Sequence, residues 1–249
     1  MKNSKIVLFI LLLSFGMLLN CEVNVLGVET SHKPRVVGSG DIVTVDKTST
    51  DFNKIDISQA FVATITQSEN YLVELRVDDN IVNKVFVVRQ GSALKVYLDD
   101  DYSYQNATLE IDIHLPDIEQ LQLSGASVAA VEGFDFDHEM EFVLSGASIV
   151  NGDLSCGNVD FYISGASRIT LNGTGEDLDM DVSGASTVAL DDFLCDDVDI
   201  TLSGASSASV NSQGTISADL SGASRLYYYG NPVLGNISMS GASEIKKKG

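Results

Sequence analysis

Acidic side chains recur at a fixed distance before a Ser-Gly-Ala-Ser motif, which occurs seven times in the second half of the 249-residue sequence. If the copies stack about 4.8 Å apart, these carboxylates form a row that could hold Ca²⁺. The alternative is a solvated acidic face, which the lack of a GGxGxD-type calcium repeat favours. The fourth residue before each motif is Gln120, Glu141, Asp160, Asp179, Asp199, Ser217 or Asn236, and Asp181 and Asp219 stand two residues before it. The candidate calcium ligands are Glu141, Asp160, Asp179, Asp181 and Asp199, and no other cofactor is expected.

The serines of the motif could also act as nucleophiles. Catalysis needs one activated serine, whereas this sequence has seven equivalent copies and no strand-turn-helix elbow around any of them. Glycine tolerates backbone angles that other residues do not, and alanine and serine fit where chain walls come close. The motif therefore predicts a corner of a repeated structure, in which stacked serines could hydrogen-bond along the column.

Histidine offers little for catalysis or metal binding. His32, His114 and His138 lie on different segments, with no spacing suited to zinc. A Ser-His-Asp triad can be assembled on paper from His114 or His138, but a chain with 35 acidic residues always permits that. We predict no catalytic residue.

The stretch RLYYYGNP near the C-terminus is the candidate binding surface. Arg225, Tyr227 and Tyr229 alternate along a predicted strand and therefore share its outward face. Exposed aromatic and guanidinium groups are common in binding surfaces. Alternatively, the tyrosines cover the end of the apolar core. The ligand expected for such a surface is a glycan or a protein.

Regular spacing of the motif points to the fold. Its first serine falls at Ser124, Ser145, Ser164, Ser183, Ser203, Ser221 and Ser240, with spacings of 21, 19, 19, 20, 18 and 19 residues. Each repeat carries two short strand patterns and is too short for a strand-helix unit. Apolar residues also recur one and three residues before the motif and five residues after its first serine. This pattern predicts an all-β fold, a single-stranded parallel β-helix of about 19-residue coils over residues 117–249.

The two later cysteines test this register. Cys156 and Cys195 both lie eight residues before a motif, with Gly175 at the equivalent position between them. Two rungs of about 4.8 Å exceed the roughly 7 Å Cα separation that a disulfide tolerates. We therefore predict two unpaired, buried thiols.

The N-terminal half divides into an export signal, a tether and a β-rich section. Residues 1–20 combine a cationic start with an apolar run, as in a secretory signal peptide. The LLNC sequence resembles a lipobox and predicts lipidation of Cys21, with plain secretion as the alternative. Residues 21–37 lack periodicity and suggest a tether, and residues 38–116 alternate apolar and polar residues like strands.

Net charge limits the partners. The formal charge is -20, and loss of Lys2 and Lys5 with the signal would bring it to about -22. Such a polyanion repels phosphate backbones and anionic headgroups, so we expect no nucleic acid and membrane contact only through the lipid anchor. No oligomeric state is predicted.

Three segments carry a family resemblance. GSGDIVTVDKTSTDFNKIDIS, ALKVYL with IDIHLPDIEQLQLSGAS, and YYYGNPVLGNISMSGAS resemble the GIN-domain family of auto-transporter adhesin head domains, common among Bacteroidetes surface proteins. The resemblance covers about residues 38–245, and SGAS replaces the more usual SGSG. It implies a right-handed parallel β-helix with a β-rich N-terminal section on exported, often lipid-anchored proteins, and it brings no catalytic residues. Right-handedness also follows from the general preference of parallel crossovers.

Two classes of function fit these observations. The first is a non-enzymatic module of the cell envelope or outer surface, adhesive or scaffolding. The second is a carbohydrate-active β-helix enzyme, a lyase or hydrolase. Such enzymes build clefts from long excursions between strands and, for hydrolysis, hold two carboxylates about 5 to 9.5 Å apart. The uniform coil lengths favour the first class.

Overall fold

The computed structural model describes residues 33–248 as a stack of β-strands. One 3₁₀ turn, Val82–Lys84, interrupts them, and no helix in this range is long and apolar enough to span a bilayer. The strands are β1 (Arg35–Val37), β2 (Ile42–Asp46), β3 (Lys54–Ile57), β4 (Val62–Gln67), β5 (Leu72–Asp78), β6 (Val85–Gln90), β7 (Ala93–Leu98), β8 (Ser103–Gln105), β9 (Leu109–Leu115), β10 (Gln120–Leu123), β11 (Val128–Asp135) and β12 (Met140–Leu144). They continue with β13 (Ile149–Ser155), β14 (Val159–Ile163), β15 (Arg168–Thr174), β16 (Leu178–Val182), β17 (Thr187–Cys195), β18 (Val198–Leu202), β19 (Ser207–Ser212), β20 (Thr215–Leu220), β21 (Arg225–Gly230), β22 (Val233–Met239) and β23 (Glu244–Lys247).

Two long sheets face each other across the core. One has ten strands in the order β22-β20-β18-β16-β14-β12-β10-β3-β7-β6, and the other has eleven in the order β2-β5-β9-β4-β11-β13-β15-β17-β19-β21-β23. From β10 onward every coil adds one parallel strand to each sheet. The prediction of an all-β parallel β-helix is confirmed, since the strands form a β-solenoid whose coils are about 20 residues apart.

Alternation along the strands fills the interior. The apolar columns predicted from the repeats are buried in every coil up to β21; in the last coil, Ile237 and Ile245 are partly buried and Met239 is exposed. Aromatic side chains stack between rungs, as in the pair Phe142 and Phe161, whose ring centroids lie 5.3 Å apart. One continuous core therefore runs from the N-terminal section through the solenoid.

The N-terminal section joins the same two sheets. Residues 35–37, at the end of the predicted tether, form β1 and pair with β8. β3 pairs in parallel with β10, and β4 with β11, while β2, β5 and β6 add antiparallel strands. The turn Ser58–Phe61 consequently lies directly next to the first SGAS turn. It is an additional, divergent copy of the motif that the sequence pattern did not reveal.

The SGAS motif forms the corner between the two sheets, as predicted. Its glycine adopts a positive φ in all seven copies, between 65° and 77°. The alanine N–H of one turn donates to the glycine carbonyl of the preceding coil, at 2.8 Å for Ala205 and Gly184. A Cβ added at Gly204 would lie 2.6 Å from that carbonyl oxygen. Glycine is required here both for its backbone angle and because the turns stack in direct contact.

The last serine of the motif is buried, but its hydroxyl closes its own turn. Ser167 Oγ donates to the Ser164 carbonyl at 2.9 Å, and four other copies make the same bond. The principal bond of these hydroxyls therefore lies within the turn. Longer bonds along the column, as predicted, run from Ser206 Oγ to the Val182 carbonyl at 3.4 Å and from Ser243 Oγ to the Leu220 carbonyl at 3.3 Å. The hydroxyls of Ser186 and Ser224 have no partner.

The cysteine register agrees with the prediction. Ser155 aligns with Thr174, and Thr174 with Leu194, so Cys156, Gly175 and Cys195 occupy one column on successive rungs. Both thiols are buried and unpaired. Burial raises the pKa of each to about 12, which suppresses the reactive thiolate. Cys21, the predicted lipidation site, and the signal segment lie outside the described residues.

We expect Gly204→Ala to destabilise the stack by about 3–5 kcal/mol, because the new methyl group both strains the turn and displaces a neighbouring backbone. Gly91→Ala is the matched control: Gly91 also has a positive φ, but its Cβ would meet no atom within 4 Å. That substitution should cost only about 1–2 kcal/mol. Urea unfolding of both variants measures the difference, and equal losses would contradict direct stacking of the turns.

Thiol titration gives a second test of the register. The never-reduced chain from residue 22 should show two titratable thiols per molecule after denaturation and almost none when folded, since both are buried. Mass spectrometry after alkylation locates them. A Cys156–Cys195 disulfide would mean that the coils do not stack in this order.

Candidate functional site

The predicted acidic row exists on the outer face of the ten-stranded sheet. Cross-strand pairing places Gln120, Glu141, Asp160, Asp179, Asp199 and Ser217 in one column. Glu141 and Asp160 are half-buried, whereas Asp179 and Asp199 are exposed. Asp181 belongs to the next column along the strands, between Tyr162 and Thr201. The row thus combines a continuous run of four carboxylates with one offset neighbour.

A second set of side-chain oxygens, one from an asparagine and two from aspartates, borders this row and has a structural role. Asn158 Oδ1 accepts the Asp177 N–H at 3.3 Å, Asp177 Oδ1 accepts the Asp197 N–H at 3.3 Å, and Asp197 Oδ1 accepts the Thr215 N–H at 2.6 Å. Each of these side chains therefore binds the backbone of the next coil through a hydrogen bond. Between the two sets lies a groove of about 500 Å³, lined by Asp160, Asp177, Asp179, Asp197 and Asp199.

Two carboxyl groups of the row have a raised proton affinity. Partial burial, then the charge of Glu139, raises the pKa of Asp160 above its ordinary value. For Asp179, whose side chain is exposed but whose carboxyl group is partly desolvated, this desolvation and then the charges of Asp160 and Asp199 do the same. The ionised forms of these two carboxyl groups are therefore less stable in the folded chain than in the unfolded chain, so both oppose folding at neutral pH.

The row does not converge on a point. Within residues 33–248, no group of three or more His, Cys, Asp or Glu side chains is arranged to hold a metal ion. The carboxylates follow the strand spacing, so each lies about 4.8 Å from its neighbours in the sheet direction. Calcium binding at Glu141, Asp160, Asp179, Asp181 and Asp199 stays a prediction.

Arg225, Tyr227 and Tyr229 meet on the outer face of β21, in the eleven-stranded sheet. Arg225 is exposed and both tyrosines are half-buried. On the neighbouring strand β23, Glu244 pairs with Arg225 and Lys246 with Tyr227. The Lys248 ammonium lies 4.7 Å from the centroid of the Tyr227 ring. We refer to Arg225, Tyr227 and Tyr229, together with Lys246 and Lys248, as the tyrosine face.

Tyr228, between Tyr227 and Tyr229, is the tyrosine that covers the apolar core. Tyr228 packs against the core, as do the partly buried Ile237 and Ile245 of the last coil. Val233 and Met239 of β22 remain 68% and 45% exposed. The alternation that separates Tyr228 from its neighbours was visible in the sequence, but lysines from another coil could be placed beside Tyr227 only once the coils were aligned.

His138 has a contact on each ring nitrogen and on one ring face. His138 stacks on Phe136, and its Nε2 lies 2.7 Å from Asp117 Oδ1 while Nδ1 lies 2.9 Å from the Glu139 carbonyl oxygen. Burial lowers its pKa, but these two contacts outweigh burial and raise it overall. Since both ring nitrogens have partners, neither is available to activate a serine.

Comparison with known proteins now identifies the family. A family model described as "Putative auto-transporter adhesin, head GIN domain" matches residues 51–232. The chain belongs to this family. No curated protein matches the sequence. Its GIN-domain fold is similar to the crystal structure of a "putative adhesin" from Bacteroides fragilis, with a TM-score of 0.78 and 21% identity over 86% of this chain and 100% of that one.

Two further crystal structures have the same fold. A "putative adhesin" from Parabacteroides merdae has a TM-score of 0.68 and 17% identity, over 87% of this chain and 100% of that one. A "putative lipid binding protein" from Parabacteroides distasonis has a TM-score of 0.67 and 16% identity, over 86% and 100%. At these identities the likeness concerns the fold, and the GIN-domain resemblance inferred from the sequence is confirmed.

Removing one charge from the acidic row should stabilise this GIN domain. We expect Asp179→Asn to raise the melting temperature at pH 7 and low salt by about 1–3 °C, because like charges on adjacent strands repel. Protonation removes the same charge, so the gain should shrink as the pH falls towards about 4. Asp41→Asn, at an exposed loop position outside the row, is the control and should change little. An equal effect at both positions, or one independent of pH, would contradict repulsion within the row.

Calcium binding has its own test. Melting temperatures are compared in millimolar CaCl₂ and in NaCl of matched ionic strength. A solvated acidic face predicts equal values in the two salts. A calcium-specific rise that Asp179→Asn abolishes would assign the row to Ca²⁺ instead.

Proposed function

We propose that this GIN domain is a non-enzymatic binding module of the exported cell surface, which displays the tyrosine face to a glycan or protein ligand. The observation that carries the proposal is the grouping of Arg225, Tyr227 and Tyr229 on one outward face near the end of the stack. Tyrosine and arginine provide large contact areas and directed hydrogen bonds, which suits them to binding.

Charge distinguishes this face from the rest of the molecule. The opposite sheet presents a row of carboxylates, whereas the tyrosine face has Arg225, Lys246 and Lys248 beside its aromatic rings, with Glu244 as its acidic neighbour. An acidic body with a basic, aromatic end orients an approaching partner towards that end. A neutral or acidic ligand fits this arrangement best.

Rigidity supports a role in display. The turns hydrogen-bond from coil to coil, and one core runs the length of the stack. A face on such a scaffold loses little conformational entropy when it binds. Export, and an anchor at Cys21, belong to the same proposal.

A carbohydrate-active enzyme is the alternative, and one observation favours it. The groove of about 500 Å³ contains five aspartates, of which Asp160 and Asp179 have raised pKa values. Two of the five, Asp177 and Asp197, are engaged in holding the next coil. Assay against a polysaccharide panel for reducing ends or unsaturated products decides, and turnover lost on mutating one carboxylate pair would establish the enzyme.

The tyrosine face is tested by paired substitution. A glycan and protein array probed with the soluble chain should give a ligand whose affinity falls at least about tenfold in Tyr227→Ser/Tyr229→Ser, because binding energy concentrates in buried aromatic contacts. Tyr162→Ser, 46% exposed on the other sheet, is the matched control and should bind normally.

Melting temperature separates binding from covering. The double variant should melt close to the parent, because Tyr228 rather than Tyr227 or Tyr229 packs against the core. A large loss of stability would instead mean that the tyrosines close the end of the stack. Unchanged ligand binding in a folded double variant would reject this face as the site.

A further inference from the structure

We infer that the junction between the N-terminal section and the solenoid contains a second binding pocket, suited to a neutral sugar residue. It is a cavity of about 390 Å³ at the start of the glycine column, lined by Gln59, Leu98, Tyr102, Tyr104, Asn106 and Gly125 among others. This volume falls within the range of small-molecule sites. Five rungs, or about 24 Å, separate this first SGAS turn from the turn before β21, so the pocket is distinct from the tyrosine face.

Unusual backbone conformations concentrate at this pocket. Five residues other than glycine have a positive φ in the described chain, and three of them, Gln59 (67°), Ala60 (66°) and Asn106 (51°), line the cavity. A fourth, Ala126 (69°), follows Gly125 in the adjoining turn. Each such residue costs of order 1–3 kcal/mol, and strain of this kind clusters at ligand sites.

Gln59 shows how the repeat is modified to build the pocket. It occupies the glycine position of the divergent turn Ser58–Phe61, where the following SGAS turn stacks on one side. On the other side of this turn, the Gln59 side chain reaches the end of β7 and the loop that follows it. There Oε1 accepts the Leu98 N–H, and Nε2 donates to Asp100. The glycine column therefore ends in a polar side chain that holds one wall of the cavity.

The opposite wall is held in place independently. Asp78 is buried, and its Oδ2 accepts the Thr108 N–H at 2.7 Å while Oδ1 accepts the Gly40 N–H at 2.6 Å. The Tyr104 hydroxyl donates to the Asp99 carbonyl at 3.0 Å. The segment that carries Tyr104 and Asn106 is thus fixed without a ligand, as a preformed site requires.

Chemistry of the lining selects the ligand. Tyr102 and Tyr104 lie with their ring centroids 6.5 Å apart and tilted by 53°, and both are half-exposed, so they offer apolar faces on which a sugar ring can pack. Gln59 and Asn106 provide amide groups for its hydroxyls. The charges of Asp99, Asp100 and Asp101 act on Tyr104, which lines the cavity, and they repel anions. The Lys84 ammonium lies 3.4 Å from the Tyr102 centroid, where a cationic ligand would otherwise bind. A neutral polyhydroxylated ring can pack on the tyrosines and hydrogen-bond to the amides without being repelled by these charges.

Ligand-observed NMR titration of the full chain tests the pocket. The probes are glucose, galactose, mannose, N-acetylglucosamine, cellobiose and lactose, with glucuronate and glucosamine as anionic and cationic controls. At least one neutral sugar should bind with a dissociation constant of about 1 mM or below. Asn106→Gly and Tyr102→Ala should each weaken it at least tenfold. The glycine variant keeps the positive φ that Asn106 adopts, so it should remain folded.

Control variants separate this pocket from the proposed function. The Tyr97 ring stacks on Phe86 outside the cavity, so the Tyr97→Ala variant should bind the sugar normally. The Tyr227→Ser/Tyr229→Ser variant should also bind it normally. Loss of binding only in the tyrosine-face variant would assign the sugar to that face and overturn the pocket. Absence of neutral-sugar binding at 10 mM, undiminished binding in folded Asn106→Gly, or equal affinity for the charged controls would also overturn it.

Discussion

The structure depends on direct backbone contact between successive SGAS turns. An alanine N–H in one coil donates to the glycine carbonyl of the coil before it, and the turns approach so closely that no Cβ fits at the glycine. This hydrogen bond is made by the last five of the seven SGAS turns and joins each of them to the coil before it. The buried final serine, which in most copies donates to the carbonyl of the first serine, stabilises each turn internally.

Everything along the middle of the stack follows from this repetition. Residues at equivalent positions share a column, so apolar residues build a continuous core and acidic residues form a row on the surface. This order has an electrostatic cost, because partial desolvation and then the charges of nearby carboxylates raise the pKa values of Asp160 and Asp179. The same regularity gives the central coils little material for a deep cleft, which fits a scaffold better than an enzyme.

Aromatic surface groups concentrate where the repetition changes. At one end, β21 places Tyr227 and Tyr229 outward and Tyr228 inward, beside lysines of the final strand. At the N-terminal end of the SGAS repeats, Gln59 stands at the position that glycine occupies in the other turns. The segment after β7 contributes Tyr102 and Tyr104. A uniform stack presents similar surfaces in each coil, so recognition of a particular partner depends on such departures.

The sequence by itself determined the repeated part of this GIN domain. Spacing of the motif predicted the parallel coils, the columns of the core, the acidic row and the separation of Cys156 from Cys195, because each repeat aligns with the next without knowledge of distant contacts. Only the tertiary structure revealed that Ser58–Phe61 stacks as a further turn and that its Gln59 contacts Leu98 and Asp100, about 40 residues away. Those contacts join segments that share no repeat, so no periodicity could align them. The direction of five of the seven final-serine hydroxyls was likewise decided by local geometry, since the turn brings the carbonyl of the first serine within 2.8–2.9 Å of each of them.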